Sequence, residues 1–145
     1  MHSKVKRGLL WTLTGTTALL TARAILRAGR AIPLRGRTVM ITGGSRGLGL
    51  VLAREFAKTG AQIAICARDP DELRRAETDL RARGARVFSI TCDVTDQESV
   101  DHAVNMVRDV YGEIDILVNN AGLIQVGPLQ EMTLDDFEAA LKTHF

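Results

Sequence analysis

The sequence is poor in cysteine, histidine and aromatic residues. Its 145 residues include two cysteines, three histidines and one tryptophan. Two cysteines cannot supply the disulfide framework of a small secreted domain, and Cys66 and Cys92 each end an apolar run, which indicates buried free thiols in a reducing compartment. The histidines are scattered, and no Cys/His cluster has metal-ligand spacing. We therefore predict no metal site.

Acidic residues are absent from the first third of the chain. Residues 1–54 carry ten Lys or Arg and no Asp or Glu, whereas residues 55–145 carry nine bases and seventeen acids. A basic front can indicate nucleic-acid binding, but these bases stand among apolar residues, without aromatic interleaving, zinc-ligand spacing or a recognition-helix pattern. We therefore expect no nucleic-acid partner.

Residues 1–33 form a basic and apolar N-terminal segment for which two interpretations remain open. The stretch from Gly8 to Ala22 is largely apolar, includes Trp11 and has basic residues on both sides. It is too short to predict a membrane span, and the bases that follow it oppose export as a signal peptide. It is either a helix lying on an anionic membrane surface or an additional helix packed on the following domain.

From residue 34 onward the sequence repeats a unit of a short β-rich run, a capped amphipathic helix and a glycine. Such units predict parallel strands joined by helices. The strands are predicted at Arg37–Thr42, Gln62–Ala67, Arg86–Thr91 and Ile114–Val118. Capping boxes are predicted at Asp69–Glu72 and Thr95–Glu98, and helix ends at Gly60, Gly84 and Gly112. Residues 34–145 are therefore expected to form an α/β, Rossmann-like doubly wound parallel sheet with strand order 3-2-1-4.

A last helix is predicted from about Thr133, with Leu134, Phe137 and Leu141 on its apolar side. The sequence stops inside this helix, with no glycine and no strand after it. Helices of a doubly wound sheet bury their apolar face against the strands on either side. We therefore expect the chain to be a fragment, truncated after the first four strands of its fold.

A glycine-rich segment from Thr42 to Gly49 lies between the first predicted strand and the first predicted helix. At that position backbone N–H groups and the helix dipole can hold a pyrophosphate, and glycine removes a Cβ that would block close approach. A P-loop would need Lys and then Ser or Thr after Gly49, where Leu50 and Val51 stand. The glycine spacing matches T-G-x-x-x-G-x-G rather than G-x-G-x-x-G.

With this loop, and with Asn-Asn-Ala-Gly at 119–122 after the fourth predicted strand, residues 34–145 resemble the short-chain dehydrogenase/reductase family. The resemblance implies an NAD(P)-dependent oxidoreductase that transfers hydride between the cofactor and a small alcohol or carbonyl substrate. It also implies a cytoplasmic homo-oligomer, which residues 1–33 would associate with the cytoplasmic face of a membrane if they are a surface helix. The implied cofactor-binding residues are Gly43, Ser45, Arg46, Gly47, Leu48, Gly49, Arg68, Asp93, Val94, Asn120, Ala121 and Gly122.

The choice of cofactor is expected to depend on the residues after the second strand. By register, Ala67 stands where NAD enzymes carry an acid, and Arg68 follows. Without the acid a 2′-phosphate is not repelled, and a guanidinium can bind it in a fork. Arg46 adds a second positive charge, as in many NADP members of the family, while Asp69 before Pro70 is assigned to helix capping. We therefore expect NADP(H) rather than NAD(H).

The resemblance also implies a catalytic Ser and a Tyr-x-x-x-Lys pair, which we do not find in these 145 residues. Tyr111 is the only tyrosine and Asp115 stands where the lysine would be, so we interpret Tyr111 as a packing residue. His144 falls at the family's Asn position, a departure that leaves both a proton-relay role and a structural role open. We expect no turnover by this chain; the alternative is a non-catalytic dinucleotide-binding or membrane-associated module.

Overall fold

The structure is a computed structural model that describes residues 32–122 and 128–144. The predictions for residues 1–31 lie outside the described residues. One compact unit spans Leu34–Phe145. Its elements are β1 (Thr38–Thr42), α1 (Gly47–Lys58), β2 (Gln62–Ala67), α2 (Pro70–Ala82), β3 (Arg86–Thr91), α3 (Gln97–Tyr111), β4 (Ile116–Val118), a 3-10 turn (Leu129–Glu131) and α4 (Leu134–His144). Among the described helices, none has the length and apolar character needed to cross a membrane.

The strands form one parallel sheet in the order β3-β2-β1-β4. Thr42 at the end of β1 pairs with Cys66 of β2, and Ile41 pairs with Val118 of β4. The carboxyl ends of the strands therefore meet at one edge of the sheet. The predicted Rossmann-like sheet and its strand order are confirmed.

Helices cover both faces of the sheet because side chains of a strand point alternately to opposite sides. The residues buried between the sheet and the helices α1 and α2 include Val39, Ile41, Ala53, Ile63, Ile65, Leu73, Ala76 and Leu80. The residues buried against α3 on the opposite face are Met40, Ala64, Cys66, Ile90, Cys92, Ala103 and Val107. The central strands are apolar on both faces, which explains why their sequences read as continuous apolar runs.

Glycines end the first three helices as predicted. Gly60, Gly84 and Gly112 follow α1, α2 and α3 with φ of +82°, +80° and +82°. This is the region that glycine enters without a Cβ penalty. The start of α2 also agrees with the sequence, because the Asp69 carboxylate accepts the N–H groups of the residues at 71 and 72 at 2.8 and 3.0 Å.

The predicted cap of α3 is wrong by one residue. Asp96 is the N-cap, and its carboxylate accepts the N–H of Glu98 at 3.3 Å. Thr95 is instead part of the preceding turn, where its N–H and hydroxyl both donate to the Asp93 carboxylate, at 2.9 and 2.8 Å. The helix therefore begins at Gln97.

Strands β1 and β4 are shorter than predicted, and Asp115 makes side-chain contacts at their common start. Its carboxylate accepts the N–H of Thr38 at 2.9 Å and forms a salt bridge with Arg37. The Asp115 N–H also donates to the Thr38 carbonyl at 3.0 Å, next to the strands, which begin at Thr38 and at Ile116. Asp115 thus has a structural role in the described unit.

The apolar side of α4 is largely exposed. Leu134, Phe137 and Leu141 are 81%, 45% and 56% exposed, and Leu117 on the neighbouring edge strand β4 is 56% exposed. The predicted apolar side chains are therefore present on α4, but the described residues leave them largely exposed.

Asp79 connects α1 and α2 through ionic hydrogen bonds. Its carboxylate accepts the Arg54 Nε–H at 2.8 Å and the Arg83 Nη2–H at 2.9 Å. These bonds, from Arg83 first and from Arg54 second, lower the pKa of Asp79 to about 2. Because the pKa in the folded protein is lower than that in the unfolded chain, ionised Asp79 stabilises the fold above about pH 4, and this contribution is lost as the pH falls toward 2.

We expect Asp79→Asn to lower the melting temperature by a few degrees at neutral pH, and the difference from the wild type to shrink between about pH 4 and 2. Thermal unfolding followed by circular dichroism over this pH range measures both effects. Glu55→Gln is the matched control, because it removes a more exposed pair with Lys58 inside α1. An equal loss in both variants at neutral pH would show that Asp79 has no special role.

Candidate functional site

A cleft of about 1010 Å³ opens at the carboxyl edge of the sheet. The segments that follow β1, β2, β3 and β4 form its walls, and Thr143 of α4 also lines it. From β1 the chain continues to β2 and β3 on one side, and from β3 it returns to β4 on the other side of β1, so the cleft lies where the winding of the sheet reverses. Open α/β sheets bind their ligands at this position.

The cleft brings together nearly all of the residues predicted to bind the cofactor. It is lined by Gly43, Ser45, Arg46, Gly47, Leu48, Arg68, Asp93, Val94, Asn120, Ala121 and Gly122. Gly49 is the exception, since it is buried in the first turn of α1. The residues come from four separate loops, and the parallel strands place them side by side.

Thr42 joins the end of β1 to the segment after β4. Its hydroxyl oxygen accepts the N–H groups of Asn120 and Ala121, both at 3.0 Å, and its hydroxyl donates to the Val118 carbonyl at 3.4 Å. The Asn120 side-chain amide donates to the carbonyls of Thr42 and Gly43 at 3.0 and 3.1 Å. Two sequence motifs 78 residues apart are thereby held as one unit.

The glycines of the loop are required by this junction. A Cβ at Gly49 would lie 2.3 Å from the Gly43 carbonyl oxygen and 2.6 Å from the Asn120 amide nitrogen. Gly43 has φ of +65°, and a Cβ there would lie 2.9 Å from the Cα of Ala121. These glycines therefore allow close packing between the loop and the Asn-Ala-Gly segment, in addition to the predicted approach of a phosphate.

The N-terminus of α1 is left without a side-chain cap. Arg46 is its N-cap residue and makes no capping hydrogen bond, and the first turn contains no acid. By contrast, α2 and α3 are capped by Asp69 and Asp96 and carry acids in their first turns. The N–H groups of the first turn of a helix carry partial positive charge and favour an anion. Among these three helices, α1 is the one whose N-terminus can receive an anion in the cleft.

Ser45, Arg46 and Glu72 meet at one corner of the cleft, beside Arg68. The Ser45 hydroxyl donates to the Glu72 carboxylate at 2.9 Å, and Arg46 lies 3.5 Å from the other carboxylate oxygen. Sequence reasoning assigned Glu72 to helix capping and missed its place in this corner. The available signal was its position in the first turn of α2, which starts at the same edge of the sheet as the glycine loop.

Asp93 has a structural role in its loop and also lines the cleft. The N–H and the hydroxyl of Thr95 donate to it, and its own N–H donates to the Ser99 hydroxyl oxygen at 3.0 Å. The bond from the Thr95 N–H is the main reason that the pKa of Asp93 lies below its usual value. The carboxylate is therefore ionised at neutral pH and can accept hydrogen bonds.

The two cysteines are free and buried, as predicted. Burial raises the pKa of the Cys66 thiol to about 12, and the neighbouring Cys92 adds to the shift. Cys92 lines the cleft. Because the thiolate is the reactive form of cysteine, Cys66 is chemically inert at neutral pH.

Tyr111 lies away from the cleft and packs at the end of α3. Its ring contacts Phe88 edge to face at 6.4 Å, and the Arg86 guanidinium lies 5.9 Å from the ring centre. Burial raises the pKa of Tyr111, which is the opposite of what a proton donor near neutral pH needs. These contacts confirm Tyr111 as a packing residue. His144 is the last residue of α4, and its side chain is outside the described part of the structure.

Other proteins are similar to this chain in sequence and in fold. Residues 37–145 match the family model for short chain dehydrogenase. Gluconate 5-dehydrogenase of Gluconobacter oxydans is 36% identical over 111 residues, which are 77% of this chain and 43% of that protein. Sorbitol dehydrogenase of Cereibacter sphaeroides is 37% identical over 105 residues, which are 72% of this chain and 40% of that protein. The chain thus spans less than half the length of these two relatives.

A solved structure gives the same result for the fold. A metagenomic short-chain oxidoreductase in complex with NADP superposes with a TM-score of 0.69 at 33% identity. The match covers 77% of this chain and 51% of that chain.

We expect Thr42→Val to destabilise the protein by about 1–3 kcal/mol, because the N–H groups of Asn120 and Ala121 lose their acceptor. Thr42→Ser keeps the hydroxyl and should retain most of the stability. Urea denaturation of the wild type and both variants measures the free energies of unfolding. A loss in the Ser variant with none in the Val variant would indicate that methyl packing, rather than the hydroxyl, is what matters at this position.

Proposed function

Because the chain belongs to the short-chain dehydrogenase/reductase family, we propose that residues 34–145 bind the dinucleotide of an oxidoreductase that transfers hydride between NADP(H) and an alcohol or carbonyl substrate. The observation that carries this proposal is the cleft, in which the uncapped N-terminus of α1 meets the glycine loop and the ends of β2, β3 and β4. The chemistry that the nicotinamide ring supplies when bound is hydride transfer.

The residues present fit a dinucleotide on two grounds. At Gly47, whose φ is +55°, a Cβ would meet no atom within 4 Å, so there is open space beside the N-terminus of α1 through which a phosphate can approach the N–H groups. No acid in the first turn of α1 would repel it. The backbone N–H groups of Gly47 and Leu48 are the proposed partners of the pyrophosphate.

The adenosine end of the cofactor is assigned to the other walls of the cleft. Asp93 is ionised and has acceptor capacity for the adenine amino group, and Val94 follows it on the same wall. Asn120, Ala121 and Gly122 are proposed to line the adenine-ribose side. The hydrogen bonds from the Asn120 and Ala121 N–H groups to Thr42 support this assignment, because they fix the segment relative to the loop.

A preference for NADP(H) over NAD(H) is proposed from the charges at the corner. Ala67 ends β2 without an acid, and Arg68 and Arg46 line the same cleft. Asp69, the nearest acid after Arg68, is engaged in capping α2. Two guanidinium groups that line the same cleft favour a 2′-phosphate. The similar solved oxidoreductase in complex with NADP supports this assignment.

The described residues that line this cleft do not include a tyrosine, which is the proton donor that the family resemblance implies. Since Tyr111 is a packing residue, we propose that these 145 residues bind the dinucleotide without turnover. We further propose that an alcohol or carbonyl substrate is bound by a longer, cytoplasmic and homo-oligomeric protein. A relay role for His144 and contact of residues 1–33 with a membrane surface remain proposals. The packing role of Tyr111 also favours a second candidate, a non-catalytic dinucleotide-binding module.

We expect the 145-residue chain to bind NADPH more tightly than NADH, and Arg68→Ala to weaken NADPH binding about tenfold while changing NADH binding much less. Parallel calorimetric titrations measure both dissociation constants. Arg75→Ala is the matched control, since Arg75 is an exposed arginine on α2 that does not line the cleft. Equal affinity for both cofactors in the wild type would contradict the proposed preference.

We expect Gly49→Ala to abolish detectable NADPH binding, because the added methyl group collides with the Gly43 carbonyl and displaces the loop. The control is Gly84→Ala, which strains a glycine of φ +80° but meets no atom within 4 Å. Both variants should melt below the wild type, and the control alone should still bind NADPH in the same titration. Normal binding by folded Gly49→Ala would show that the loop does not form the phosphate site.

A further inference from the structure

Glu72 is the acid whose carboxylate contacts Ser45 and Arg46 at the corner of the cleft. One carboxylate oxygen accepts the Ser45 hydroxyl at 2.9 Å, and the other lies 3.5 Å from the Arg46 guanidinium. The Glu72 side chain is 23% exposed, whereas that of Arg46 is 82% exposed. The Glu72 carboxylate is therefore the more buried partner of this ion pair, and the exposed Arg46 side chain has room to move.

The position of Glu72 in the helix keeps its carboxylate in this corner. It stands in the first turn of α2, where the helix dipole favours a negative charge. Its backbone N–H is held by Asp69, the cap of the same helix. The backbone of Glu72 is thus fixed independently of its contacts with the glycine loop.

Charged groups of both signs line the cleft. They are Arg46 and Arg68 and the acids Asp69, Glu72 and Asp93. The Asp69 carboxylate already accepts two backbone N–H groups of α2. Glu72, in contrast, uses Ser45 and Arg46, which are the donors that an incoming phosphate would need.

We propose that Glu72 is an internal competitor of the 2′-phosphate and limits how strongly the site prefers NADP(H) over NAD(H). This inference rests on the function proposed above. A 2′-phosphate must displace the carboxylate from Ser45 and Arg46 and remain near its negative charge. The ribose hydroxyls of NAD(H) can instead donate hydrogen bonds to it. Arg46 and Arg68 favour NADP(H) over NAD(H), and Glu72 makes the difference between these two affinities smaller.

The test compares NADPH and NADH binding to the 145-residue wild type and to Glu72→Gln by calorimetry. Glu72→Gln is expected to tighten NADPH binding about five- to tenfold and to change NADH binding less than about twofold. Asp71→Asn is the matched control. It removes the same charge from the adjacent residue, whose carboxylate is 61% exposed and pairs with Arg74 rather than with the loop.

The outcomes separate the two proposals. Three results would overturn the role of Glu72 and leave dinucleotide binding intact. They are weaker NADPH binding by Glu72→Gln, an unchanged ratio of the NADPH and NADH dissociation constants, and an equal gain in NADPH affinity in Asp71→Asn. A folded wild type that binds neither cofactor overturns the proposed function and this inference with it. If Glu72→Gln does not fold, Glu72→Asp keeps the charge in the first turn of α2 but withdraws it from Ser45, and should also tighten NADPH binding.

Discussion

The hydrogen bonds between Thr42 and the segment after β4 hold the site together. They join the carboxyl ends of β1 and β4 across the point where the winding of the sheet reverses, so the glycine loop and Asn120 form one rigid unit. A side chain at position 49 would collide with Gly43 and Asn120. Because Gly49 has none, the first turn of α1 packs directly on this junction. A small set of contacts therefore positions the helix N-terminus that faces the cleft.

The distribution of capping side chains determines which helix faces a ligand. Asp69 and Asp96 satisfy the first N–H groups of α2 and α3, and at α4 the Thr133 hydroxyl oxygen accepts the N–H of Asp136 at 3.3 Å. The first turn of α1 has no such partner among the described side chains. Since unpaired N–H groups at a helix start favour an anion, the absence of a cap at α1 is as informative as the glycines beside it.

Much of the fold could be predicted because each strand and helix carries its own local signals. Strands β2 and β3 span the predicted residues, and glycines end the helices where expected. The errors occur where distant or competing groups decide a boundary. At the start of β4 the Asp115 side chain bonds the start of β1, and at the start of α3 Thr95 donates to Asp93 while Asp96 caps the helix. A local pattern cannot rank such competitors, since their energies depend on the folded geometry.

The candidate site was predictable in its residues but not in its charge balance. Spacing and resemblance selected the loop and the arginines, and parallel strands explain why these residues converge. The direction of the Glu72 side chain could not be predicted, because its capping position suggests a local partner, whereas its carboxylate reaches Ser45, 27 residues away in sequence. A charge-assisted hydrogen bond from a hydroxyl and an ion pair with a guanidinium outweigh a local contact. Arg46 looks like a free positive charge in the sequence but is paired with Glu72 in the fold, so the selectivity proposed for the site depends on whether a ligand displaces that carboxylate.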